Sequence, residues 1–168
     1  MELEQRVADL ERRLAALEEE RAHRPSPSPD DSDFWALNAW KEQLTGLGAA
    51  DGGVLFTGAV RLPTGERYDW QHGALTDDLV GEDWSGAAEP FAALGHPVRL
   101  RLLREILGGR RTAAELAELD EVGTTGQIYH HLRQLTGAGW LHTTARGRYE
   151  VPGGRVVPLL VALSVARP

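Results

Sequence analysis

The side chains best suited to chemistry lie together between positions 124 and 133, and that chemistry is recognition of base edges. Gln matches the N6 and N7 atoms of adenine, and Arg matches the O6 and N7 atoms of guanine. The segment contains both residue types and no Asp or Glu, so none of its side chains would repel a phosphate backbone. Further along, two arginines flank a glycine in the run ARGRY. We predict that DNA is contacted by Thr124, Thr125, Gly126, Gln127, Tyr129, His130, Arg133, Arg146 and Arg148.

Two short helices and a hairpin are predicted to position these side chains. Thr112 with Glu115, and Thr124 with Gln127, have the spacing of capping boxes, and Gly123 is predicted to end the first helix. Because Gln127 would use its side chain in the box, we expect one of its two roles to be weakened. Strands are predicted for WLHTT and RYEV on either side of the turn ARG. One stripe of the second helix is predicted to be buried, namely Ile128, Leu132 and Leu135.

From about Pro90 to Val165 the chain resembles the ArsR-type winged-helix transcriptional regulators. The resemblance rests on the runs FAALGHPVRLRLLREIL, AELAEL, YHHLRQLTGAGWL and RGRYEV. It implies a homodimer on double-stranded DNA with an inverted-repeat operator, a recognition helix in the major groove and a wing on the backbone or in the minor groove. The turn DEVG is one residue longer than is usual in that family, which leaves the docking angle open. The alternative is a winged-helix adaptor that binds proteins and no specific DNA.

Many members of that family sense metals, and this sequence lacks the residues for it. It has no cysteine, and Ala113 and Ala114 stand on the helix where cysteine ligands would be needed. The terminal helix carries no His, Asp or Glu, and His130 and His131 point to different sides of their helix. We therefore expect no metal and no other cofactor. Without a nucleophile motif, a phosphate-binding glycine loop or HExxH, we also predict that the protein is not an enzyme.

The charge is divided unevenly along the 168 residues. The net charge of −7 argues against binding to nucleic acid, but residues 1–89 carry −11 and residues 90–168 carry +4. The cationic half is the half that resembles a winged helix, as a DNA-facing module requires. No run approaches the roughly 20 apolar residues that cross a bilayer, and the acidic start MELEQRV is unlike a secretory signal. We expect a cytoplasmic protein that engages no membrane.

Residues 1–23 are predicted to form a coiled-coil dimerisation helix. Arg6 and Arg13 fall at g positions, and glutamates fall at e, which favours a parallel pair. The alternative is a single amphipathic helix docked on its own domain. Residues 24–33, rich in Pro and Ser, are predicted to be a linker. The apolar seam has the alternating spacing of four and three, with the residues Leu3, Val7, Leu10, Leu14 and Leu17.

Residues 34–89 are predicted to be a small α+β segment that packs on the winged helix. We expect a helix in FWALNAWKEQL, capped by Ser32 or Asp33, a hairpin formed by VLFTGAV and RYDWQHG, and a short helix capped by Thr76. The aromatic residues would either line a site for a flat organic effector or a regulatory protein, or simply form core and dimer contacts, and we favour the second interpretation. These residues are Trp35, Trp40, Trp70 and Trp84.

Residues 90–168 are predicted to be the winged-helix domain, so the fold class is mainly α with a small β component (α+β). A helix from Pro97 is expected to turn Leu100, Leu103 and Leu107 inward and three arginines (99, 101 and 104) outward, where they face phosphates or solvent. A terminal helix starting near Pro158 is apolar on every side, which indicates burial on two faces. We assign one face to the dimer seam, with the residues Val157, Leu160, Val161 and Ser164.

Overall fold

A computed structural model of the chain describes residues 5–14, 34–144 and 147–167. The chain divides into two compact units, Met1–Ala50 and Asp51–Pro168. The first unit contains α1 (residues 5–14) and α2 (Trp35–Leu47). The second contains, in order, β1 (Gly53–Arg61), β2 (Arg67–Leu75), α3 (Thr76–Gly81), α4 (Ser85–Leu94), α5 (Pro97–Leu107), α6 (Ala113–Ala117), α7 (Thr125–Gly137), β3 (His142–Thr144), β4 (Arg148–Glu150) and α8 (Gly153–Val165). The predicted mixture of mainly helix with small antiparallel hairpins is confirmed.

In the first unit, both predicted helices are present where the structure describes the chain. Val7, Leu10 and Leu14 are exposed along α1, whereas Leu3, Leu17 and the linker 24–33 lie outside the described residues. Helix α2 is preceded by Phe34, which provides no side-chain cap. It runs through Gly46 and ends where Gly48 adopts φ +68° and donates its N–H to two carbonyls of the last turn. The predicted caps Ser32 and Asp33 also fall outside the described residues.

The β1–β2 hairpin belongs to the same compact unit as the winged helix and packs against α8. Its strands pair without a break from Gly53 opposite Leu75 to Arg61 opposite Arg67. A Cβ atom added at Gly58 would lie 2.6 Å from Cγ1 of Val157, so the backbone of β1 touches α8 directly. The expected packing of this segment on the winged helix is therefore confirmed for the hairpin.

The short helix after the hairpin begins differently from the prediction. Thr76 is the first residue of α3 and not its cap, because Leu75 occupies the cap position and no side chain caps the helix. The backbone N–H of Thr76 instead donates to the carbonyl of Gly52, 3.0 Å away. A backbone carbonyl next to the first strand of the hairpin thus accepts from an N–H group at the start of α3, where such groups lack partners within the helix.

The core lies among α5, α6, α7 and α8. The residues of α5 that face this core differ from those that we predicted. The fully buried residues of α5 are Leu102, Leu103 and Ile106, while Leu100 and Leu107 are half-buried. Of the three residues expected to face inward, only Leu103 does so fully. The reason is that the core-facing stripe is offset toward α7, which leaves the other two leucines beside α8.

Arg111 ties both hairpins to the core domain. Its guanidinium forms hydrogen-bonded ion pairs with Glu66, in the turn between β1 and β2, and with Glu150 of β4, the latter at 3.2 Å. Its backbone carbonyl accepts a hydrogen bond from Tyr149 N–H at 2.7 Å. The hydrogen bond from Arg111 lowers the pKa of Glu66. The β1–β2 hairpin is therefore linked to the wing through one half-buried cation.

Helix α8 starts earlier than predicted, and this changes the assignment of its faces. It begins at Gly153, so Pro158 lies inside the helix and does not start it. Val157 is 1% exposed and packs on Gly58 of the same chain. Val157 is therefore not available for the dimer seam to which we assigned it. Leu160 and Val161 are half-buried and Ser164 is exposed. None of the helices that the structure describes is long and apolar enough to cross a membrane.

Candidate nucleic-acid interface

The start of α7 is built by the predicted capping box. The Thr124 side chain accepts a hydrogen bond from Gln127 N–H at 3.4 Å, and Gln127 Oε1 accepts from Thr124 N–H at 2.8 Å. Gly123 has φ +93°, and a Cβ there would lie 2.5 Å from Gln127 Oε1. The glycine is required both by its backbone conformation and by the space that the capping side chain occupies.

The two sides of α7 differ sharply in exposure. Ile128, Leu132 and Leu135 are completely buried, as predicted. On the opposite side, the structure brings together most of the predicted recognition residues on one solvent-facing surface. We call this surface the α7 face, and its members are Thr125, Gly126, Gln127, Tyr129, His130 and Arg133, all exposed.

Gln127 has a smaller role in this face than the sequence indicated. Its Oε1 atom accepts hydrogen bonds from both the backbone N–H and the hydroxyl of Thr124, at 2.8 and 3.2 Å. A bidentate contact with adenine needs both the amide oxygen and the amide nitrogen. In this conformation only the nitrogen is left for a base, so the capping role prevails.

The connection between α6 and α7 is longer than predicted. Helix α6 ends at Ala117, well before Gly123, so the glycine does not end that helix as we predicted. Val122 fills the core from this connection with 2% exposure. Glu121 adopts φ +60°, a left-handed conformation that non-glycine residues rarely take. Val122 thus anchors this longer connection in the core immediately before α7.

Arg99 supports α7 from behind and is not an outward phosphate ligand. Its guanidinium donates to the carbonyls of Ala92 and Ala93 at the end of α4, at 2.7 and 2.5 Å. It also donates to Gln134 Oε1 of α7 at 2.7 Å. The expectation that this arginine faces phosphates or solvent is therefore wrong. No spacing pattern marked the contact, because it joins residues 35 positions apart.

The wing is short, and the structure describes one of its two predicted DNA-contacting arginines. In the β3–β4 hairpin, Arg148 pairs with Thr144 and forms an isolated bridge with Thr112. It is half-buried and is the first residue of the strand β4. Arg146 falls outside the described residues. The bridge between Arg148 and Thr112 therefore connects the wing strand β4 to the start of α6.

Two histidines cap and pack the helices behind the α7 face. His96 precedes α5 and accepts a hydrogen bond from Val98 N–H through Nδ1 at 3.2 Å. The His131 ring packs against His96, with centroids 4.7 Å apart. Burial lowers the pKa of His131, and its Nδ1 atom is buried without a hydrogen-bond partner among the residues that the structure describes. Both imidazoles thus serve the α5–α7 contact.

The four tryptophans do not form a common core. Trp40 is buried, but Trp35, Trp70 and Trp84 are exposed, the last at 69%. Three of the four are therefore not core residues, and the expectation that they form dimer contacts stays a prediction. Trp35 and Trp40 lie in the first unit, and Trp70 and Trp84 in the second. Across residues 5–14, 34–144 and 147–167, no group of three or more His, Asp or Glu side chains could hold a metal ion.

Comparison with known proteins agrees with the geometry of α5 to α7. Residues 94–143 match the family model of a helix-turn-helix domain. The match begins at the end of α4 and reaches β3, so it contains both capping boxes and the whole α7 face. A search among curated proteins finds no match. The protein therefore contains a helix-turn-helix domain, a class of domain that DNA-binding regulators use.

Proposed function

We propose that the protein is a homodimeric, sequence-specific DNA-binding transcriptional regulator of the ArsR-like winged-helix type, one that does not respond to metals. The observation that carries the proposal is the α7 face. It is polar, free of acidic residues and exposed to solvent, while the other side of the same helix is completely buried. A helix presented in this way suits insertion into the major groove of DNA.

Arg133 is the residue on which we expect specificity to depend most. It is exposed and has no hydrogen bond or ion pair with any residue that the structure describes. Its guanidinium is therefore free to form a bidentate contact with guanine. Thr125, Tyr129 and His130 lie around it and would contact neighbouring bases or phosphates. The wing arginines Arg146 and Arg148 would contact the backbone or the adjacent minor groove.

The homodimer supplies the second half of the interface. The charge of +4 on residues 90–168 is small for one protomer, and two α7 faces about one helical turn apart would meet an inverted repeat. The exposed Val7, Leu10 and Leu14 support a coiled-coil contact through α1. We assign the remainder of the contact to the predicted residues Leu3, Leu17, Leu160, Val161 and Ser164.

Arg133→Ala tests the DNA-reading role. A duplex would first be selected from a random library by the wild type, and its affinity measured by fluorescence anisotropy at fixed salt. We expect the variant to bind this duplex about 10- to 100-fold more weakly, because one bidentate contact is worth roughly 1–3 kcal/mol. Arg61→Ala, which removes an equal charge from β1, is the matched control. Equal losses in both variants, or no selected duplex, would contradict the proposal.

The charge pattern of α1 tests the dimer. Replacing Arg6 and Arg13 with Glu places like charges at the predicted g and e positions, so we expect a measurable shift toward monomer at low concentration in sedimentation. Each exposed pair contributes only about 0.2–1 kcal/mol. Arg12→Glu, at the outer f position, is the control and should leave the mass unchanged. Unaltered association of the double variant would show that α1 is not the zipper.

The second candidate is a winged-helix adaptor, and the exposed apolar residues favour it. Val80 of α3, Trp84 just before α4, and Phe91 within α4 are each about two-thirds exposed. Such residues suit a protein partner, and they also support control of the regulator by a protein or an organic ligand through residues 34–89, including Trp35, Trp40 and Trp70. Two results together would establish the adaptor. The folded protein would select no duplex, and Arg133→Ala would leave its affinity for a protein partner unchanged.

A further inference from the structure

The groove between α5 and α8 has a leucine floor and an arginine rim. It encloses about 600 Å³, within the roughly 300–1,000 Å³ that ligand sites occupy. Leu159 and Leu103 are fully buried beneath it, and the other leucines are half-buried. We call this feature the α5–α8 groove. Its floor consists of Leu100, Leu103, Leu107, Leu159, Leu160 and Leu163, and its rim of Arg101, Arg104 and Arg167.

The positive charge of the rim is only partly neutralised by nearby carboxylates. Arg104 pairs with Glu105 at 2.9 Å. Arg101 approaches Glu121 only to 3.9 Å, and the Glu121 side chain is 90% exposed. Arg167 has no ion pair within the described chain. One guanidinium is therefore unpaired and a second is weakly paired, both beside an apolar surface.

We propose that the α5–α8 groove binds an amphipathic carboxylate, a molecule with an acyl chain on the leucine floor and its carboxylate on Arg101 and Arg167. An apolar floor gains free energy by covering hydrocarbon, and a guanidinium forms charge-assisted hydrogen bonds with a carboxylate. The groove shares only Leu160 with the proposed dimer contact, whose other α8 residues, Val161 and Ser164, do not line it. A second copy centred on the groove itself is less suitable, because a two-fold axis there would bring two arginine rims together.

Binding here would act on the connection that precedes α7. Arg101 is both a rim residue and the partner of Glu121, the residue with φ +60° in the α6–α7 connection. A bound carboxylate competes with Glu121 for the same guanidinium. The ligand would thereby alter the connection that leads into α7. This consequence for DNA affinity rests on the proposed function, whereas ligand binding itself does not.

The first test is calorimetric titration of the full chain with dodecanoate below its micelle concentration, without DNA. We expect saturable binding at one site per chain. Dodecyltrimethylammonium, which has the same tail with a cationic head, should bind at least about tenfold more weakly, because it gains no contact with the rim. Equal affinities for the two probes, or no saturable binding, would overturn the proposal.

Two substitutions separate the floor from the rim. Leu163→Asn should weaken dodecanoate binding about tenfold, whereas Val165→Asn, on the same helix but outside the groove, should not change it. Arg167→Ala should weaken binding by up to about fivefold, with Arg61→Ala as its control. Sedimentation of the same variants tests the competing occupant. If Leu163→Asn alone lowers the mass and dodecanoate does not bind, a second copy covers the groove and the proposal is wrong.

A further substitution tests whether the ligand and Glu121 compete for Arg101. Glu121→Gln removes the rival carboxylate, so we expect dodecanoate to bind a few-fold more tightly than to the wild type. Glu118→Gln removes an equal charge that forms no ion pair with Arg101 in the described part of the chain, so it should have no such effect. A weaker or equal affinity in Glu121→Gln would refute the competition. These affinities are measured without DNA, so their failure is distinguishable from a failure of DNA recognition.

Discussion

Helices α7 and α8 are both 13 residues long, but they are stabilised in different ways and present different surfaces. Helix α7 begins with a complete capping box, buries one leucine–isoleucine stripe and exposes polar side chains. Helix α8 has no side-chain cap, contains Pro158 and buries Val156, Val157 and Leu159. Its remaining face carries half-buried leucines and ends in an exposed Val165.

The difference shows how each helix can accept a partner. Because the box and the buried stripe hold α7 independently of its outer side, that side is free to be polar and to meet DNA. Helix α8 relies on tertiary contacts, above all on the β1–β2 hairpin beneath Val157. Its uncovered surface is apolar, which suits an acyl chain or another protein surface and not a nucleic acid.

The largest expected effect is the loss of the buried stripe of α7. Leu132→Ala should lower the free energy of unfolding by about 2–5 kcal/mol, because it leaves a cavity in a fully buried site. Leu160→Ala on the half-buried side of α8 should cost only about 1 kcal/mol. Urea denaturation of both variants measures the contrast. Similar losses would mean that the half-buried side of α8 contributes as much to the stability of the core as the buried stripe of α7.

The contact between α8 and the hairpin should give an intermediate effect. Gly58→Ala places a methyl group 2.6 Å from Val157 Cγ1, so the Val157 side chain, the strand or the helix must shift. We expect a loss of about 1–3 kcal/mol, the usual cost of overpacking. The control Gly137→Ala, at the end of α7, meets no atom within 4 Å and should change stability by no more than about 0.5–1 kcal/mol. Thermal unfolding compares the two, and equal stabilities would indicate a loose contact under α8.

The smallest effect concerns pH and distinguishes two capping boxes. Hydrogen bonds from the Thr112 side chain and backbone N–H, both 2.8 Å, lower the pKa of Glu115 below its usual value near 4.5. A lowered folded-state pKa contributes stability above the unfolded pKa, and this contribution is lost as the pH falls through the folded pKa. Gln127, which does not titrate, closes the equivalent box of α7.

We therefore expect the stability advantage of the wild type over Glu115→Gln to be present at neutral pH and to shrink below pH 4.5. Gln127→Glu is the matched substitution and should introduce a similar acid-side dependence at α7. Chemical denaturation along a pH series measures both. A difference between wild type and Glu115→Gln that stays constant with pH would show that the charge of Glu115 does not contribute to the cap.

Local patterns in the chain were sufficient to predict much of the helix-turn-helix. Both capping boxes, the stripe of Ile128, Leu132 and Leu135, and the exposed opposite side depend on residues three to seven positions apart. The β1–β2 hairpin was predictable for the same reason, because alternating residues and a turn specify it. The start of α8 was not, since Pro158 resembles a first helical residue while the helix is held by contacts with the hairpin.

The sequence by itself determined where α7 begins, which of its sides is buried and which carries the polar residues, because a helix repeats every 3.6 residues and its first turn needs hydrogen-bond partners close in the chain. Only the tertiary structure decided that Arg99 supports α7 from behind, that Val157 is sealed against Gly58, and that leucines from α5 and α8 meet in one groove. Those contacts join residues tens of positions apart, and no local spacing encodes which distant backbone a side chain will reach.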